Sequence, residues 1–212
     1  MNIQRSLSML LCALALSASV AASPAGEAAI STLQTRWAQA NYQLEGKAQK
    51  AAFEALVNDA DRITAEQGGE AGVWIWSGII KSTYAGVKGG LGALKYAKQA
   101  KADLEQAMAL DANALDGSAY TSLGTLYFKV PGWPLGFGDS KKAARLLEKA
   151  LTLNPSGIDP NYFYAEYLRD QGRDSLARDY YEKALRAPPR PGRVLADEGR
   201  RKEIQSALAQ LN

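Results

Sequence analysis

AARLLEKALTLNP occupies residues 143–155, and the chain writes it in two further versions: AKADLEQAMALDA at 100–112 and ARDYYEKALRAPP at 177–189. Each copy begins with alanine (Ala100, Ala143, Ala177), places a large residue four positions on (Leu104, Leu147, Tyr181) and follows it with glutamate. A second alanine then precedes an apolar residue: Ala107-Met108, Ala150-Leu151, Ala184-Leu185. Apolar residues at i, i+4, i+7 and i+8 form one stripe along a helix, and the alanines within it let a neighbouring helix backbone come close. The last two copies end in Pro155 and Pro189, where a helix has to stop.

Each of these helices is preceded by a segment that suits an antiparallel partner. AYTSLGTLYF (119–128) carries Tyr120, Leu123, Gly124 and Tyr127: an aromatic knob, a core leucine, a glycine that admits a crossing helix, and a second knob. NYFYAEYLRDQG (161–172) repeats the slots with Tyr164, Ala165 and Leu168, and VWIWSGIIKS (73–82) with Trp74 and Gly78. Capping chemistry agrees, with Asp139 before the 143 helix, Asp159-Pro160 as a cap followed by proline, and Gly172 ending one helix before Asp174 starts another.

On these residues the chain resembles tetratricopeptide repeat proteins, whose unit is a 34-residue helix-turn-helix with the pattern W-x-x-L-G-x-x-Y, A-x-x-x-F, P. Ala143 and Ala177 stand 34 positions apart. The resemblance implies an all-α, right-handed solenoid of antiparallel helix pairs, and about nine helices with no sheet are expected. Repeats span 71–190 and carry two insertions, GVKGGLGALKY (86–96) and VPGWPLGFGD (130–139). Residues 23–70 read as a degenerate hairpin and 191–212 as a C-terminal capping helix.

The N-terminus reads separately. Arg5, an apolar run at 6–20 and then small residues match a secretory signal over 1–22, with cleavage at Ala21 or Ala22, and the run is shorter than the roughly 20 residues that span a bilayer. A periplasmic chain without a membrane span is the expectation. Cys12 is the single cysteine and there is no histidine, so the mature chain lacks thiol nucleophiles, disulfides, thiolate metal sites and imidazole acid–base schemes. No catalytic residue, metal or cofactor is expected. The formal charge of +3, which becomes +2 without Arg5, is too small to imply nucleic acid. GVKGGLGALK lacks the G-x-x-x-x-G-K-[ST] pattern of a phosphate loop and follows a helical pattern instead of a strand, and its glycines suit a turn and close packing.

FGDSKKAARLLEKAL (137–151) with the export signal resembles the repeat proteins associated with TRAP-type solute transporters (TatT-like), and implies a stack that lines a pocket and partners a solute receptor. From the residues themselves, the first helix of each hairpin lines the concave face: Thr121, Thr125, Phe128 and Lys129, then Asp159, Tyr162, Glu166 and Arg169. Trp133 and Phe137 either fold back onto the helices or contact a partner. The expected contact set is Lys129, Trp133, Phe137, Tyr162, Glu166 and Arg169, serving a protein or peptide partner in the envelope, with an oligomer compatible with such a stack. A transport accessory enclosing a small ligand is the alternative. Arg186, Arg190, Arg193, Arg200, Arg201 and Lys202 make the C-terminal end basic, as a solvated cap or an anionic-partner site.

Overall fold

In a computed structural model, which describes residues 23–211, nine helices follow one another: α1 (Pro24–Tyr42), α2 (Gly46–Glu66), α3 (Ala71–Lys88), α4 (Gly90–Asp111), α5 (Ala114–Lys129), α6 (Ser140–Leu153), α7 (Ile158–Asp170), α8 (Asp174–Leu185) and α9 (Val194–Ala209). The signal-peptide expectation lies on 1–22, outside the described residues. Helices α1–α2, α3–α4, α5–α6 and α7–α8 pair as hairpins, and α1, α3, α5 and α7 also touch in succession to form the inner layer. Among the described residues the only bridge of β type joins Gly132 to Gly138.

The repeated alanines explain the stacking. Ala100, Ala107, Ala143, Ala150, Ala177 and Ala184 are wholly buried, as are Leu104, Leu147 and Tyr181. A β-carbon on Gly78 would stand 2.6 Å from the Leu104 side chain, and one on Gly124 would stand 2.8 Å from Leu147. Two hairpins therefore use the same lock, a leucine of the second helix seated against a glycine of the first. In the fourth hairpin, fully buried Ala165 fills that slot. Tyr127 and Leu123 are buried beside it, Tyr120 is half-buried, and the half-buried Trp74 donates from its indole nitrogen to the Gly68 carbonyl at 2.8 Å.

Termini follow local chemistry in part. The Asp139 carboxylate accepts from the Lys142 amide at 2.9 Å, which makes it the N-cap of α6, and Gly172 (φ +69°) ends α7. Asp159 is not a cap: Gly157 holds that position, Asp159 lies inside the first turn of α7, and its carboxylate is turned to arginines. Pro155 is exposed and its carbonyl accepts from the Asn161 side chain at 3.0 Å. Before α5 continues in the ordinary sense, Leu115, Asp116 and Gly117 make a left-handed turn, which costs about 1–2 kcal/mol at each non-glycine residue.

The two inserted segments differ in kind. Residues 86–96 form no loop: they lengthen α3 and α4, and Gly89 and Gly90, both at positive φ, make the reversal between them. Tyr84 and Tyr96 meet edge-on at 4.6 Å across the lengthened tips. Residues 130–139 do form a loop, which contains a cis Trp133–Pro134 bond.

The apolar interior divides into an N-terminal core (Leu33, Phe53, Leu56, Val73, Ile80, Tyr84) and a larger one running from α3 to α9. Helix α9 does more than cap α8. Ile204 and Ala207 belong to the larger core, whereas Ala196, two turns earlier, is buried in the N-terminal one. Gly199 presses on the Tyr42 ring so closely that a β-carbon there would stand 2.4 Å from it. The last helix thus straps the end of the stack back to α1.

Candidate functional site

The inner helices and the strap enclose a cavity of about 1070 Å³. Helix α3 supplies Trp76, Ile79 and Thr83 at the i, i+3, i+7 spacing of one face, and α5 supplies Thr121 and Thr125. Trp37 of α1 stands 6.0 Å from Trp76, ring to ring, and donates from its indole nitrogen to the Thr83 hydroxyl at 3.0 Å. Segment 188–193 forms the wall opposite, bringing three prolines and two arginines.

That wall is held by charge. Asp159 accepts from Arg190 at 2.5 Å and from Arg200 at 2.9 Å, and Arg190 also bonds Asp197 at 2.7 Å. Arg200 pairs further with Glu203 and lies over the rings of Tyr162 (4.3 Å) and Phe163 (4.6 Å). Burial pushes the Asp159 carboxyl up, but the Arg200 and Arg190 guanidinium groups outweigh it and hold the group down to about 2. It is an ionised strut at neutral pH and no proton donor.

The structure disperses the six expected contact residues. Lys129 lines the cavity and reaches Glu166 at 3.3 Å. Glu166 also accepts from the Tyr181 hydroxyl, and Arg169 donates to Gln210 of the segment after α9 at 2.7 Å. Tyr162, Glu166 and Arg169 border a shallow cleft against α9, not the cavity. Burial pushes the hydroxyls of Tyr162 and Tyr181 up, keeping both protonated. Phe137 folds back edge-on against Tyr127 at 5.5 Å, whereas Trp133 stands 89% exposed. Phe128, expected on the concave face, packs instead against Tyr167 at 5.8 Å.

Half of the basic C-terminal set is consumed internally: Arg190 and Arg200 as above, and Arg201 by donation to the carbonyls of Leu185 and Ala187, which close the end of α8. Arg186 and Lys202 stay exposed. Missed by the sequence reading were Trp76 and the strap; Arg193 was named as part of the basic end, but nothing local marks that segment as folding inward.

Among the described residues no cluster of three acidic, cysteine or histidine side chains is placed to hold a metal, and no helix is long and apolar enough to cross a membrane.

Residues 158–191 match the model of the tetratricopeptide repeat family, a span that takes in α7, α8 and the proline segment. No curated protein matches the chain. Among solved structures, a thermophilic tetratricopeptide repeat protein of Thermus thermophilus is similar at 16% identity, over 86% of this chain and 98% of that one, with a TM-score of 0.57. MamA is similar at 19% identity over 78% of this chain and 90% of that one, with a TM-score of 0.46 that carries no argument. The resemblance to transporter-associated proteins gains no support from these likenesses. With a matching repeat at 158–191 and a stack that follows a known repeat protein along most of its length, the fold is a tetratricopeptide-repeat solenoid.

Proposed function

We propose that the chain is an exported, non-catalytic helical-repeat scaffold that takes a protein or peptide partner of the cell envelope at the mouth of its concave groove. The supporting observation is the tip of the 130–139 loop, where Trp133 is 89% and Leu135 73% exposed. Such side chains are costly to leave in water, and here the loop that carries them is braced. The Gly138 amide donates to the Pro131 carbonyl at 2.9 Å, and the Asp139 amide to Tyr127 at 2.8 Å. Gly136 and Gly138 allow that closure, since β-carbons there would stand 2.4 Å and 2.0 Å from backbone oxygens. A rigid apolar tip loses little conformational freedom on binding. Leu135 and Pro131 also line the cavity mouth, which ties the tip to the groove.

A photo-crosslinking residue at position 133, expressed in living cells with the full chain, tests this reading. Defined adducts with one or a few envelope proteins, absent when the same residue replaces Asp174 on α8, are expected. Adducts only with cytoplasmic proteins, or none, overturn it.

A further inference from the structure

The strap carries three arginines toward the cavity, and the chain treats one of them differently. Arg190 and Arg200 are answered by Asp159, Asp197 and Glu203. Arg193 has no ion pair and no side-chain hydrogen bond among the described residues, and its Nε is buried without an acceptor. Its guanidinium lies 4.8 Å over the ring of Trp76, whose own indole nitrogen is also buried and lacks an acceptor. Trp76 is only 4% exposed, and both residues line the cavity. Leaving a charged donor without a partner is costly, so the Arg193 guanidinium, which lines the cavity with no carboxylate paired to it, marks a place for an anionic acceptor that the chain itself does not supply.

The remaining walls say what accompanies that acceptor. Ile79 of α3 and Ala93, Leu94 and Ala97 of α4 give the cavity an apolar stretch of lining beside its hydroxyl-bearing residues. The volume of about 1070 Å³ lies just above the roughly 300–1,000 Å³ usual for small-molecule sites. Proline-rich segment 188–191 and Arg200 of α9 line one side of the cavity.

We propose that the cavity binds a small amphiphilic carboxylate, with its head on Arg193 beside Trp76 and its apolar tail along α3 and α4. Burial and the neighbouring Arg190 bring the Arg193 guanidinium down to about 10 against the opposing pull of Asp159 and Asp197, so it stays charged at neutral pH, and neither carboxylate forms an ion pair with it. The head-group position on Arg193 does not use the exposed Trp133, and binding there does not depend on partner capture at the tip.

Titration calorimetry on the purified, delipidated full chain tests it with three probes of equal tail: dodecanoate, dodecanol and dodecyltrimethylammonium. Dodecanoate is expected to bind at least about tenfold more tightly than dodecanol, and the cation not at all. Arg193→Gln should abolish the difference between acid and alcohol, and Arg193→Lys should keep most of it. Ala93→Phe, which fills the cavity and leaves Arg193 intact, should remove binding of both; circular dichroism checks that each variant is folded. Trp133→Ala should leave all values unchanged. Equal affinities for acid and alcohol, or a difference that survives Arg193→Gln, overturn the proposal. A hexapeptide with a free C-terminal carboxylate that binds more tightly than dodecanoate and depends on Arg193 overturns the choice of ligand and moves it to a chain terminus.

Discussion

The seams inside the hairpins and the clasp that holds α9 solve the same problem by different means. At the seams, Leu104 against Gly78 and Leu147 against Gly124 lock by shape, between helices adjacent in sequence. At the clasp, Asp159 ties α7 to arginines 31 and 41 positions away, with aromatic rings beneath Arg200. Shape complementarity between apolar groups does not depend on pH or salt, whereas an ion cluster does. The ring closure, and with it the cavity wall, is therefore the part of this fold that solution conditions can open.

The largest expected effect breaks a seam. Leu147→Ala and Leu104→Ala each remove a fully buried side chain and should destabilise the chain by about 3–5 kcal/mol. Denaturant unfolding should show the two losses agreeing within about 1 kcal/mol if the locks are equivalent repeats. A large disparity would mean that the buried Lys81, paired with Asp103 at 2.6 Å and Asp61 at 2.7 Å in the α3–α4 region, carries part of that seam.

Removing the centre of the clasp comes next. Asp159→Ala leaves Arg190 and Arg200 without their shared carboxylate, a loss of about 2–3 kcal/mol, below the value for a fully buried pair because the side chain keeps some contact with water. Hydrogen exchange should localise it: amides of α9 lose protection and those of α5 keep it. Uniform loss would show that closure and stacking are one cooperative unit.

Acid probes the same clasp without mutation. The folded Asp159 value, about 2, lies below its ordinary 3.8, so its contribution is fully present above pH 4 and disappears as pH falls toward 2. That interval corresponds to about 2 kcal/mol by linkage. Acid release of α9, followed by tryptophan fluorescence because Arg193 lies over Trp76, should be seen in the wild type and be flattened in Asp159→Asn.

The comparison also marks what was legible in the sequence. The seams were, because Ala143, Leu147 and Gly124 act through helical periodicity and recur, and the Asp139 cap was, because its partner is three residues away. The glycines of 86–96 read as a turn with close packing, and Gly89 and Gly90 do turn the chain, but Gly86 and Gly92 lie inside helices whose tips carry the Tyr84–Tyr96 contact. The clasp was illegible since arginines on an amphipathic terminal helix read as solvated until the fold brings Asp159 to them. For the same reason Tyr162, Glu166 and Arg169, plausible groove residues by spacing, stand against α9 instead.

The smallest expected effect separates two aromatics of one loop. Phe137 packs edge-on against buried Tyr127 and joins the larger core, so Phe137→Ala should cost about 2 kcal/mol or more. Trp133 is 89% exposed and four positions earlier, so Trp133→Ala should change stability by less than about 0.5 kcal/mol. Thermal unfolding of the two variants side by side checks this, and a destabilised Trp133→Ala would assign the tip to the scaffold. An unchanged Trp133→Ala would leave an exposed indole, held by a loop with two close glycine contacts, as the feature on which the proposed partner contact rests.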